Sequence, residues 1–273
     1  MTAAPSSPAL AISRDQIYAV CIVALIANAV IKTIMATANQ GLASALPQGL
    51  GLSWAFWLSF ALCVRLALIA EPSPPARRDW IAGAACLLAA AMPIGPISSA
   101  AGTALALWLI FDRAPGVHLK AAGWVLLAIT VNLFWGRLLM MFFVPQVAAA
   151  DANLVGLIVR TQVQGNTVRL LDGHQMSIVE GCTSVENASV ALMMFVAIVR
   201  TFRPSPKLSE MLYLGGVFAF VVAVNETRLS LMAQSMDMFE LVHGPTSWAV
   251  LNLIFTFAGL VGATLCVRHE ILD

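Results

Sequence analysis

About eight stretches of this 273-residue chain run for 15 to 25 residues with almost no charge: 17–38, 52–70, 80–94, 97–111, 121–144, 182–199, 209–233 and 246–267. Each approaches the ~20 apolar residues that carry a helix across a bilayer core. In lipid a backbone must satisfy its own N–H and C=O groups, and runs of this length do so as helices. Composition agrees: 60% of residues are hydrophobic and 11% charged, against about 25% charged in soluble domains. So few charges cannot cover a water-facing surface. With 18 Gly and 5 Cys, collagen-like and disulfide-scaffold folds are excluded as well. The expected fold is an all-α polytopic membrane protein of about eight transmembrane helices, a single integral domain over 1–273. The third and fourth runs are short, and a re-entrant pair there would leave the parity of the count unchanged.

Lys and Arg between the runs set the orientation. With the N-terminus in the cytoplasm, the inner segments hold Arg14, Arg77, Arg78, Arg113, Lys120, Arg200, Arg203, Lys207 and Arg268, and the outer ones only Arg160 and Arg169. Lys32, Arg65, Arg137 and Arg228 fall inside the runs. The bias alternates loop by loop, which predicts cytoplasmic N- and C-termini, a cytoplasmic tail over 1–15, and placement in the plasma (inner) membrane of a prokaryote. Arg14 followed by an apolar run and Ala36-Thr37-Ala38 has the outline of a cleavable signal, but Asn28 and Lys32 interrupt it and favour a retained helix. The net charge is +1, and the basic residues form no patch that would hold nucleic acid.

One outer segment is long, 145–181. It opens with Pro145-Gln146-Val147-Ala148-Ala149-Ala150-Asp151-Ala152-Asn153, which reads as a short interfacial helix, and then its period changes. Residues 156–163 read as a strand, Gln164-Gly165-Asn166 as a turn, 167–171 as a second strand, Asp172-Gly173 as a tight turn and 175–179 as a third strand. A meander this small needs support from the membrane surface or from helix ends.

The meander delivers the chain to Glu180-Gly181-Cys182-Thr183-Ser184, where the sixth run begins. Cys21, Cys63, Cys86 and Cys266 read as apolar filler. Cys182 is placed instead at the outer, N-terminal end of a helix, whose dipole would favour a thiolate. The outer loops hold no second cysteine to pair with it. Asn225-Glu226-Thr227-Arg228 falls in the outer third of the seventh run, where an arginine is costly unless paired or beside water. His243 opens the last run from the outside. Topology thus brings Cys182, Arg228 and His243 to one depth. Lys32, Arg137, Glu186 and Glu226 lie near it. Glu186, one turn inward of Cys182, is expected to pair with Arg228 or Arg137 and fix a cation beside the thiol. A thiolate, an oxyanion-stabilising arginine and an imidazole proton donor are the parts of thioester-forming acyl transfer.

On Gly181-Cys182-Thr183-Ser184, Asn225-Glu226-Thr227-Arg228 and His243, the chain resembles the exosortase/archaeosortase family of membrane-embedded cysteine transpeptidases. The segment Leu171-Asp172-Gly173-His174-Gln175-Met176-Ser177-Ile178-Val179 is similar to the family's lead into its cysteine. The likeness extends over about 155–268. It implies a catalytic set over 182–267, with Cys182 as nucleophile, Arg228 as electrostatic partner and His243 as acid/base, and Asn225, Glu186 and Arg137 in support. It also implies substrates: exported proteins ending in a short motif, a transmembrane helix and a basic tail, transferred to an acceptor nucleophile at the cell surface. The family's cysteine is commonly followed by Ser-Gly, where this chain has Thr183-Ser184. A glycine expected shortly after the histidine is Ser247, although Gly244 is adjacent. Both differences point to a divergent subfamily with its own signal. No HExxH, zinc-spaced cluster, phosphate loop or GxSxG is present, so no cofactor or metal is expected. A membrane cysteine protease releasing its product to water would use the same residues. A transporter or assembly scaffold is the reading from another class, and it would spread polar groups through mid-membrane.

Overall fold

A computed structural model of the chain describes residues 12–46, 49–112 and 116–272; most of the expected tail, residues 1–11, and Arg113 lie outside them. The fold is mainly helical. A long first helix, α1 (Arg14–Ala38), is followed by the single turn α2 (Leu42–Ala45), then α3 (Trp54–Leu68), α4 (Arg77–Ala91) and α5 (Gly95–Phe111). Next come α6 (Val117–Thr130) and α7 (Gly136–Val159), joined without a break through a π-helical turn at Val131–Trp135. After a small sheet, α8 (Ser184–Phe202), α9 (Glu210–Met232), the short α10 (Met236–His243) and α11 (Pro245–Leu272) complete the described chain.

Among the described residues five helical segments are long and apolar enough to cross a membrane: Arg14–Ala38, Val117–Val159, Ser184–Phe202, Glu210–Met232 and Ser247–Leu272. The remaining three expected runs fall on α3, α4 and α5, of 15, 15 and 17 residues, about 22–26 Å at 1.5 Å per residue. The α4–α5 pair is a hairpin against α1. Its start is level with Arg14, whose guanidinium meets Asp79 at 3.0 Å and Asp112 at 2.7 Å. Its tip is held by Asn28, which donates to the Met92 carbonyl at 2.8 Å and to Ser98 Oγ at 2.7 Å. From Arg14 to Asn28 is ~21 Å of helix, short of the ~30 Å core of a bilayer.

Two apolar cores share α8. On one side Met193, Met194 and Ala197 pack with α1, α3, α5 and α6 around Tyr18, Phe56, Leu109 and Leu126. On the other, Ala191, Phe195 and Val199 pack with Val217 and Val221 of α9 and Phe255 and Ala263 of α11. Small residues bring α8 and α11 close: a Cβ added to Gly259 would lie 2.4 Å from the Ala191 carbonyl oxygen. Charged side chains gather at one end of the bundle. Arg78 meets Asp112 at 3.3 Å, Arg200 is paired with Glu210, and Arg203 reaches Glu270 at 2.6 Å.

The opposite end carries the sheet, and here the expectation is partly corrected. The segment read as a separate interfacial helix and residues 156–159 of the strand read over 156–163 are both part of α7, which continues through Pro145 to Val159, while Val163 does begin the first strand. The 43 residues from Val117 to Val159 measure ~65 Å, about twice a bilayer core. Alanine-rich 148–152 has the best helix former at most positions, and helical continuation outweighs the β-branched residues that follow. Arg160, in the left-handed region at φ 58°, stops the helix. The meander proper is β1 (Val163–Gln164), β2 (Thr167–Arg169) and β3 (Gln175–Ser177), antiparallel in the order β1-β2-β3. Its two turns fall where the sequence placed them, with Gly165 at φ 60° and Gly173 at φ 97°. Val168, Leu170, Met176 and Ile178 face Ala148, Ala152 and Val155 of α7 and Leu229 and Met232 of α9. Helix ends, then, are what support the sheet.

Candidate active site

Cys182 closes a 3-10 turn, Glu180–Cys182, and Thr183 breaks the helix at ψ 148° before α8 starts at Ser184. The thiol is therefore not on the helix whose dipole was expected to act on it. The first N–H of α8, from Ser184, donates instead to Asp151 Oδ2 of α7 at 2.9 Å. A carboxylate at this position takes up the positive end of the helix. Sequence reasoning passed over Asp151 in its search for a site. The available signal was a single acid among the alanines of 148–152, on a segment read as lying at the surface, whereas the residue is 5% exposed.

Around Asp151 a buried polar network holds the cysteine turn. Asn225 is fully buried, and its Nδ2 donates to the Cys182 carbonyl at 2.9 Å and to Ser184 Oγ at 3.1 Å. Its Oδ1 accepts from Asn187 Nδ2 at 3.0 Å. Asn187 also donates to the Thr183 carbonyl at 3.0 Å. Ser184 Oγ donates to Glu226 Oε1 at 3.1 Å, and Glu226 in turn faces Asp151. Asn-x-x-Arg thus has a geometric meaning in α9. Residues 225 and 228, three apart, share a helical face, the first clamping the backbone of Cys182 and the second facing its side chain.

Arg228 is 4% exposed. Its guanidinium interacts with the Cys182 thiol and lies 5.4 Å from the centroid of the Trp248 ring. Its Nε and Nη1 have no hydrogen-bond partner among the described residues. Buried guanidinium hydrogens are normally satisfied, so an acceptor belongs here. Neither Glu186 nor Glu226 forms an ion pair with Arg228 among the described residues. Glu186 lies within electrostatic range of Arg137, but among the described residues it forms an ion pair with neither of its two expected partners. Glu186 is the third residue of α8 and lies on its flank, away from the face that meets α9.

His243 ends α10, its ring stacked on Phe239 at 4.9 Å and 10°. Cys182 and His243 line one cavity of about 220 Å³ together with Met176, Ile178, Leu229 and Met232. α10 is tied down at its start, where Asp172 Oδ2 accepts the Met236 N–H at 2.6 Å and Ser235 Oγ accepts the Met238 N–H at 3.2 Å. The Met236 N–H, with the His174 N–H, holds the Asp172 carboxyl below its ordinary value. The fold thus brings Cys182 and His243 to one cavity, with Asn225 on the Cys182 backbone and Arg228 beside its thiol, while Glu186 and Arg137 lie to one side without an ion pair between them among the described residues. A thiol and an imidazole on one cavity, with a guanidinium behind the thiol, are the groups needed for acyl transfer through sulfur. No family model, curated protein or solved structure matches the chain.

Proposed function

We propose that the chain is a membrane-embedded cysteine transpeptidase of the exosortase/archaeosortase kind, with eight spans, cytoplasmic termini and a site facing the extracytoplasmic side. The observation that carries this reading is the cavity shared by Cys182 and His243, with the unpaired Arg228 guanidinium against the thiol. In the reaction, Cys182 gives its thiol proton to His243 and its sulfur attacks a substrate carbonyl, so that a C–S bond forms as the C=O π pair moves to oxygen. Arg228 stabilises the negative charge, first on sulfur and then on the tetrahedral oxygen. His243 gives its proton to the leaving amine as the C–N bond breaks, which leaves a thioester. The acceptor nucleophile then loses its proton to His243 and displaces sulfur; if water is the acceptor, the same steps make a protease. Asn225 positions the reacting residue through its backbone. Substrates of this reading are exported proteins with a terminal motif, a transmembrane helix and a basic tail. The charges in the bundle are gathered at its two ends, which favours catalysis over a permeation path.

The test is Cys182→Ala co-expressed with a candidate tailed protein. Processing should stop, and with the unaltered enzyme hydroxylamine should release the cleaved product as its hydroxamate. Undiminished processing by Cys182→Ala would remove both enzymatic readings.

A further inference from the structure

The sheet beside the cavity has an open edge that ends at the cysteine. The Ile178 N–H donates to the Asn166 carbonyl and the Leu170 N–H to the His174 carbonyl, both at 2.9 Å, and Val168 is paired with Met176. In an antiparallel ladder bonded and non-bonded pairs alternate. Residues 174, 176 and 178 therefore turn their backbone groups toward β2, while 175, 177 and 179 turn theirs away. The Ser177 N–H and C=O and the Val179 N–H have no backbone partner among the described residues, and the Val179 C=O accepts the Cys182 N–H at 2.8 Å.

The cavity lies along this edge. It is lined by Met176 and Ile178, whose side chains are buried, and also by Ser177 and Val179, whose side chains point to the other, exposed face. Side chains of successive strand residues alternate between faces, so a cavity touching all four sits at the side of the strand and not on one face. Phe239 and His243 of α10 form the opposite wall. An unpaired edge is a template for an added strand, and strand addition draws affinity from main-chain bonds while alternate side chains give specificity.

We propose that the polypeptide substrate binds as an added strand on the 177–179 edge, its main chain bonded to Ser177 and Val179 and running into the Cys182 cavity between the sheet and α10. This rests on the reading of Cys182 as the nucleophile. It gives the meander a role in recognition: main-chain bonding accepts any extended segment free of proline at the bonded positions, and the cavity selects one side chain.

The test uses the full chain in lipid nanodiscs and a set of short peptidyl vinyl sulfones, each remade with a single N-methylated amide at successive positions. The rate of Cys182 alkylation is followed by intact mass, with iodoacetamide as the reference electrophile. Methylation at alternate residues should slow alkylation roughly tenfold, with the intervening positions changing it less than about twofold. Ser177→Pro removes an N–H that the ladder does not use, a substitution edge strands accept. It should slow the unmethylated peptide probes roughly tenfold and leave the iodoacetamide rate unchanged. Uniform sensitivity along the peptide, or full peptide reactivity in Ser177→Pro, would overturn strand addition and leave the nucleophile in place. Disulfide-linked dimers of Ser177→Cys that no longer react with the peptide probes would assign the edge to a second copy, which also overturns it. Peptide probes that fail at Cys182 while iodoacetamide succeeds would do the same. Undiminished processing by Cys182→Ala is the separate result that removes the enzymatic reading itself.

Discussion

Asn225→Ala tests whether the cysteine turn is held by the network described above. Three hydrogen bonds are lost, at 2.9, 3.1 and 3.0 Å, all in a site closed to solvent. At ~0.6 kcal/mol per interhelical bond, the average inside membrane proteins, the loss is about 2 kcal/mol. The Cys182 carbonyl also loses its donor, and a buried acceptor left unsatisfied costs ~1–3 kcal/mol. The expected destabilisation is therefore about 3–5 kcal/mol, read from reversible unfolding in mixed micelles by tryptophan fluorescence. Asn187→Ala deletes one of the same bonds from the other side, so the double-mutant cycle should return a coupling of about 1 kcal/mol. A released turn should also expose Cys182, now 6% exposed, and iodoacetamide should alkylate it several-fold faster. A loss below about 0.5 kcal/mol, or a coupling indistinguishable from zero, would refute the clamp.

Other perturbations probe the frame around the site. The Asp172 carboxyl is held below its ordinary value of 3.8 by the Met236 N–H and then the His174 N–H. A depressed folded value stabilises above the unfolded one and fails as pH falls through the folded one. The protection of the Met236 amide, its exchange rate relative to that of an unstructured peptide at the same pH, should accordingly hold above about pH 4 and fall below it, and protection lost on the alkaline side instead would contradict the assignment. Gly259→Ala places a Cβ 2.4 Å from the Ala191 carbonyl oxygen. Overpacking of ~1–3 kcal/mol then exceeds the ~1 kcal/mol that alanine adds to a helix, because a helical carbonyl cannot rotate aside. Mixed-micelle unfolding should show a net loss, and a gain would mean that α8 and α11 separate freely. Arg14→Leu strips two carboxylates, Asp79 and Asp112, of a shared cation. Breaking a buried pair in this way costs ~3–5 kcal/mol, and an unchanged unfolding midpoint would show that Arg78 alone suffices.

The apolar runs at 17–38, 182–199, 209–233 and 246–267 were legible because their physics is local: a helix that must satisfy its backbone in lipid announces itself by length and composition. The turns at Gly165 and Gly173 were legible for a similar reason, since a positive φ calls for glycine. The strand expected over 156–163 was misjudged because Leu157, Ile158 and Val159 suit either structure, and whether α7 continues depends on what packs against it. The neighbourhood of Cys182, Arg228 and His243 was anticipated by counting charges and spans.

Asp151 could not be found in this way. Its importance comes from a bond to Ser184 that spans 33 residues, and no spacing rule covers contacts of that range. The same holds for Glu186, whose separation from Arg228 depends on which flank of α8 faces α9. By itself the sequence determined an apolar helical bundle, a small meander before Cys182 and three chemically capable residues near one end. Tertiary structure alone decided that the helix dipole serves Asp151, that Arg228 faces the thiol unpaired, and that the edge of β3 opens onto the cavity. Those are properties of distance and direction between segments remote in the chain, which packing sets and composition does not.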